Sequence, residues 1–464
     1  MLAFIASLFS VTPSHAVQAR LLYKLTAPDA QPGARFGDSL SIVDGDILVS
    51  APAHVAFPFD ALGKAYLFDG QNGQPKFDFI NPMPIDQDRY AAAITGGDGK
   101  IFISQVGQQE SVYVYSTATG AQLGRINNPE NESIGFANSL AYGAGDLLVG
   151  APSYSGIPFV ANAIGQAYLY NTATNTASYT LPNPEPNDGD LFSFGKSVSI
   201  TDKFVSIGAL SDDLPGSPIF TNPGRIWLFD RHTASLVKSI ENPNPESIYF
   251  DWFGFSLDAN ESVVLTGARK DGTSGVDGSG TAYVFNAQNG ALLHTLFSPQ
   301  PEDNGEFGRS VALTPSGDIL VGAWGTSVSG IVNAGHAYLF DGQTGQLLLD
   351  IPNPEPTESA QFGWSVEAYD NRLVIGARFA DSNGMPATGA VYVYEIVPEP
   401  SVYWGLTFMS ILFFWFFKKT NNRICFFGLC KLQITLRPLT HFKGVKHEYF
   451  SSFATGWHSP RYTF

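Results

Sequence analysis

Apolar residues come along this chain in short runs, continuous or alternating with polar ones, and each run is bounded by Gly, Asn, Asp or Pro. Nothing keeps a helical period over a useful length, so the runs read as β-strands. The runs also recur. One column reads ARFGDSL (34–40), IGFANSL (134–140), FSFGKSV (192–198), DWFGFSL (251–257), GEFGRSV (305–311) and AQFGWSV (360–366), with RYAAAI (89–94) as a worn copy. Further along each unit comes a run ending in small residues, such as DILVSAP, DLLVGAP, VVLTGAR, DILVGAW or RLVIGAR. A third column follows: GKAYLFD, SVYVYS, GQAYLYN, GRIWLFD, GTAYVFN, GHAYLFD and GAVYVYE. Then come a turn such as QNG or QTG, a fourth run such as LLHTL, and a Pro-rich link such as LPNPEPN.

Seven units of roughly 45–60 residues, four strands in each, predict an all-β chain: a seven-bladed β-propeller of four-stranded antiparallel blades. The alternative is a linear β-solenoid, and the chain ends weigh against it. The last unit stops at its third strand, GAVYVYE, while an orphan fourth run, LLYKLTAP (21–28), stands at the N-terminus and matches LLHTLFSP (292–299). A ring closed by an N-terminal strand that completes the last blade removes two sheet edges, which a solenoid has no reason to do.

The F-G-x-S, hhhGAP and G-x-A-Y-h-F columns resemble the FG-GAP repeat of the integrin α-subunit head and related bacterial surface propellers, over about residues 20–396. Within the motif, the Phe of Phe36-Gly37 or Phe307-Gly308 is expected to fill the layer between blades and the Gly to let backbones approach; Gly150-Ala151-Pro152 keeps the second strand thin. The resemblance also implies calcium in an oxygen-rich loop between the first two strands of some blades. Here those turns are short (VDGDI, GAGDL, TDKF, NESV, PSGDI, YDNRL) and cannot supply the six to eight oxygens that calcium takes, so no cofactor and no such calcium site is expected.

The longer loops all emerge on the opposite face, between second and third strands. They place His54, Tyr154, Asp212, Asp213, Arg269, Asp271, Trp324 and Arg378 as candidate ligand-binding residues, a mixture of aromatic, cationic and acidic groups suited to an extracellular protein or polysaccharide. Asp212, Asp213, Asp271 and Asp277 could alternatively form a weak cation site or be ordinary solvated turn residues. Catalysis has less support: His54, His232, His294 and His336 are scattered, and no G-x-S-x-G, H-E-x-x-H or phosphate-binding glycine loop occurs. No catalytic or metal residue is assigned and an enzyme is not expected; the competing reading is a secreted polysaccharide hydrolase or lyase on a propeller scaffold.

Composition sharpens the ends of the chain. The 464 residues carry a net charge of −16, yet after Pro400 the only acid is Glu448 against Lys418, Lys419, Arg423, Lys431, Arg437, Lys443, Lys446 and Arg461. An acidic body argues against nucleic acid as a partner. Both cysteines, Cys425 and Cys430, lie in the basic tail, so the body has no disulfide. MLAFIASLFSVTPSHA has the apolar run and small-x-small ending of a secretory signal peptide cleaved near Ala16 or Ala19, though no cation precedes the run.

At the other end, Pro398-Glu399-Pro400, the uncharged run 401–417 and Lys418-Lys419 follow one another. That order resembles the PEP-CTERM sorting signal of Gram-negative bacteria, which implies an exosortase-type processing enzyme as partner, a transmembrane helix holding the chain in the membrane before processing, and release to the cell surface or extracellular matrix. About 45 residues beyond the basic pair depart from that pattern. The expected organisation is therefore a signal peptide (1–19), the propeller (20–397), the sorting signal with its hydrophobic helix (398–419) and a basic tail (420–464) that is either cytoplasmic or a read-through product; cysteines on a cytoplasmic side would be free thiols.

Overall fold

The computed structural model describes residues 17–54, 62–84, 89–107, 109–130, 135–152, 165–185, 194–210, 224–245, 251–382 and 384–398. Among them, 28 strands form seven four-stranded antiparallel sheets, six of which run in plain sequence order. The seventh takes its outer strand from the far end of the chain. Val17–Leu25 pairs antiparallel with Ala390–Pro398, which is followed inward by Arg372–Ala377 and Phe362–Tyr369.

Seven apolar clusters separate successive blades, and each is built from two neighbouring sheets. The decisive one joins Phe36, Tyr66 and Phe68 to Leu25, Tyr369, Val374, Val391 and Val393, so the first and last blades share a core as any other pair does. This radial packing excludes the linear solenoid, whose terminal repeats touch one neighbour only.

The repeat columns meet in these layers. Phe36 packs edge-on against Tyr66 and Phe68, the two aromatics of its own third strand, with ring centroids 5.7 and 5.8 Å apart. Phe253 does the same with Tyr283 and Phe285, and Phe136 with Tyr168 and Tyr170. The motif glycine turns left-handed (φ 89° at Gly37, 84° at Gly363), and a Cβ on Gly363 would run into the His336 carbonyl. Where the repeat has Ala in place of that Gly, Ala91 and Ala137 hold a left-handed conformation too, with φ 61° and 65°.

The motif serine has a role that its sequence position did not reveal. Ser139, Ser197, Ser256 and Ser310 each donate their hydroxyl to the motif-glycine carbonyl of the next blade, at 2.6–3.0 Å. Ser365 donates to Gly37 at 2.7 Å, carrying the series from the last blade to the first. On the second strand, a Cβ on Gly150 would strike Ser139 Oγ and the Gly195 carbonyl, which is why that strand ends in Gly-Ala.

The Pro-rich links are pinned by a buried Asn. Asn183 and Asn353 accept the N–H of Glu185 and Glu355 at 3.0 Å, an Asx turn that sets the chain toward the next blade. Val397 stands where that Asn would be, and the strand continues instead through Pro398. No helix among the described residues is long and apolar enough to cross a membrane; the expected signal peptide up to Ala16, the hydrophobic run 401–417 and the basic tail lie outside the described residues.

Candidate functional site

The innermost strand of each blade faces a central channel, and a cavity of about 780 Å³ occupies it. Between the Gly and Ser of the first column stands one residue that changes from blade to blade: Asp38, Ala92, Asn138, Lys196, Phe255, Arg309 and Trp364. These side chains ring the channel near one end. Arg269, Trp324 and Arg378 begin the long loops that follow the second strands, so that end opens on the long-loop face.

Cations and rings alternate around this mouth. The Arg269 guanidinium carbon lies 3.9 Å from the Trp252 ring centre and 4.4 Å from that of Phe255. Arg309 comes next, 4.5 Å from Phe255 and 3.8 Å from Trp364. Arg378 sits 3.0 Å from Trp364 and 4.8 Å from Phe379, and Arg35 lies 5.7 Å from Phe379. Planar guanidinium groups stack well on aromatic faces, and the stack fixes them while leaving their N–H edges free.

Two of these cations are neutralised. Arg269 and Lys270 pair with Glu306, which also accepts the Trp324 indole N–H at 2.8 Å, and Arg378 pairs with Asp38 at 3.0 Å while its Nε–H goes to Gln361 at 2.6 Å. Burial raises the Glu306 carboxyl, but Arg269, Lys270 and Trp324 outweigh it and hold the group below the usual carboxylate range. Lys196 and Arg309 are different. Among the described residues Lys196 donates only to Asn138, at 3.1 Å, and the Arg309 side chain has no hydrogen-bond or carboxylate partner. Burial, and then the charges of Arg309, Arg89 and Arg269, push the Lys196 ammonium down to about 8. Burial and then Arg269 press Arg309 down to about 9, although both side chains keep part of their surface open to the channel. A mouth short of negative charge is thus set into a protein of net charge −16.

Deeper in the channel the sign reverses. Asp258 and Glu367 lie three residues beyond Phe255 and Trp364 on their strands, about 10 Å along the rise of a β-strand. Burial raises Asp258 to about 6, and burial with the Asp258 charge raises Glu367 to about 8. Asp258 accepts the N–H groups of Leu313 and Ala259, both at 2.8 Å, and so ties the fifth blade to the sixth. Elsewhere the lining is rich in hydroxyls, among them Ser39, Ser41, Thr95 and Ser199.

The structure therefore brings Arg269, Trp324 and Arg378 together and sets two other expected residues apart. His54 is 4% exposed, lies 3.2 Å from Asp29 beside Lys64, and burial holds it below its ordinary pKa, so it is packed into the fold and not offered to a ligand. Asp271 is fully buried and accepts from the Tyr283 hydroxyl at 2.5 Å and the Thr273 N–H at 2.7 Å, which leaves it unavailable to a ligand or cation on the loop surface. Asp277 remains exposed. Tyr154, Asp212 and Asp213 lie outside the described residues, as do Glu399, Pro400, Lys418 and Lys419, while Pro398 ends the last strand.

Sequence reasoning passed over Lys196, Phe255, Arg309 and Trp364. The signal that could have found them is the one variable letter of an otherwise repeating F-G-x-S column, since packing would ask for the same residue each time.

The FG-GAP repeat family matches residues 21–68 and 354–394. The two segments meet in space, the first running from the paired N-terminal strand to the end of the first blade's third strand at Phe68 and the second covering the chain-terminal three strands of the last blade. No curated protein matches the chain. Fold and family match together support a seven-bladed β-propeller that carries FG-GAP repeats.

Proposed function

We propose that this protein is an exported, non-catalytic binding propeller that meets an extracellular protein or polysaccharide partner at the arginine–aromatic mouth of its channel. The observation that carries the reading is Arg309, held between Phe255 and Trp364 with no counter-ion among the described residues. A catalytic carboxylate pair is less well supported, because Asp258 already accepts two backbone N–H groups.

Export would rest on the N-terminal apolar run, and sorting on Pro398-Glu399-Pro400 with the hydrophobic run and Lys418-Lys419, read by an exosortase-type enzyme of a Gram-negative cell. The N-terminal strand would then act as the clasp of the ring. Removing a signal peptide after Ala16 preserves all of Val17–Leu25, whereas removal after Ala19 deletes the residues paired with Pro398, Val397 and Ile396.

The test incubates the full chain with the surface polysaccharide and surface protein fractions of the producing cells. Retention of one fraction without product formation supports a binding protein; new chain ends that vanish when Asp258 and Glu367 are replaced would support the hydrolase or lyase instead. The mass of the surface form tests sorting: a mature chain ending near Pro400 supports it, and an intact chain through Phe464 contradicts it.

A further inference from the structure

We infer that the channel mouth takes a carboxylate carried on a saccharide, an acidic glycan end rather than a phosphate or an acidic peptide; this rests on the binding role proposed above and specifies its ligand. Charge selects an anion. Arg309 and Lys196 face the cavity without a carboxylate partner among the described residues, and the acids nearest them are already engaged with Arg378, Arg269 and Lys270.

Shape selects a flat one. Arg309 lies between two rings, with its Nε buried and unpartnered, so a ligand reaches the outer Nη edge from inside a slot walled by Phe255 and Trp364. A planar carboxylate can lie in the guanidinium plane and accept two parallel N–H bonds there. A tetrahedral phosphate or sulfate projects oxygens above and below that plane, toward the rings.

The surroundings select a sugar. Trp364 lines the cavity half-buried, with Trp252 stacked on Arg269 and Trp324 bonded to Glu306, and the lining also presents Ser39, Ser41, Thr95 and Ser199. Hydroxyl donors and acceptors beside tryptophan suit a polyhydroxylated ring, which has an apolar face and a polar rim. A peptide of acidic side chains would meet the charge but leave these hydroxyls unused.

Calorimetry on the full chain, with trigalacturonate, its methyl ester, inorganic phosphate and a hexaglutamate peptide as probes, tests this. Trigalacturonate is expected to bind, the methyl ester at least about tenfold more weakly, and phosphate and hexaglutamate more weakly than trigalacturonate. Arg309→Ala and Lys196→Ala should each weaken trigalacturonate about tenfold or more, with Arg309→Lys between wild type and Arg309→Ala because a lysine keeps the charge and loses the two-point contact. Two separate variants guard against one that fails to fold.

Equal binding of the ester, equal or tighter binding of phosphate or hexaglutamate, or unchanged affinity in both alanine variants overturns the assignment. If the cell-surface fractions are retained while trigalacturonate is not, the ligand class falls and the binding role stands. If neither is retained, both fall.

Discussion

Ser365→Ala removes a hydroxyl that joins the last blade to the first, and its cost can be worked from the structure. Ser365 Oγ donates to the Gly37 carbonyl at 2.7 Å across a buried interface, with Ser365 itself 8% exposed. A carbonyl left without its partner in such a place costs about 1–3 kcal/mol, more than the net worth of an average hydrogen bond, because the lost bond is not replaced by water. The same motif position in the first blade provides the control. Ser39 is half-buried, and among the described residues no hydrogen bond to its hydroxyl is seen, its backbone N–H going instead to Ser50 Oγ at 2.8 Å. Ser39→Ala should therefore fall within about 0.5 kcal/mol of the parent.

Scanning calorimetry of the full chain and the two variants, run side by side, reads the difference. Unfolding entropy grows with size, so each kcal/mol moves the midpoint of a propeller this large by about 1–2 °C, and Ser365→Ala should melt about 1–6 °C lower while Ser39→Ala stays within about 1 °C. Equal shifts in the two variants, or none in Ser365→Ala, would refute the argument that this hydroxyl ring ties blade to blade.

Other perturbations separate backbone, core and site. Gly363→Ala forces a left-handed residue's Cβ toward the His336 carbonyl and should cost about 3 kcal/mol or more, whereas Gly330→Ala, at φ 83° in open space, should cost about 1 kcal/mol; paired thermal melts decide. Asp271→Ala removes the carboxylate that accepts from the Tyr283 hydroxyl and the Thr273 N–H and should lower stability by about 2 kcal/mol while leaving trigalacturonate affinity unchanged, the reverse of what a loop-surface ligand residue would do. Lys196, facing Arg309, Arg89, Arg269, Asp38, Asn138 and Phe255, loses its proton near pH 8 when folded and at about 10.5 when unfolded, so it opposes folding below pH 8 and stability recovers as pH rises from 8 toward 10.5. Affinity for trigalacturonate should move the other way, falling as pH rises through 8 in the parent and falling less in Lys196→Arg, as titration calorimetry at stepped pH would show.

The blades were legible because packing repeats. An F-G-x-S column recurring with an aromatic third-strand column states which residues share a layer, and Phe36 with Tyr66 and Phe68 is that statement in three dimensions. Burial of single polar residues was not legible. Asp271 and His54 sit in loop-like sequence, where Asp and His ordinarily face solvent, yet Asp271 is consumed by Tyr283 and Thr273, and His54 lies packed beside Asp29. The mouth was hidden for another reason. Lys196, Arg309 and Trp364 belong to different blades, and only the radial arrangement converts equal places in a repeat into neighbours around one axis.

That arrangement also separates two kinds of arginine that look alike in sequence. Arg378 and Arg269 lie against tryptophans with a carboxylate in hand, so their charges are spent on holding Asp38 and Glu306 in place. Arg309 has rings on two sides and no acid, and Lys196 has one asparagine. Grouped cations that lower one another's proton affinity oppose folding, since each would be easier to charge in the unfolded chain. On the binding role proposed above, an anion held between them would offset that cost for both residues. The unsatisfied pair is therefore where binding free energy can be collected, and the satisfied pair, with Trp324 on Glu306, is the frame that keeps the rings in position while it happens.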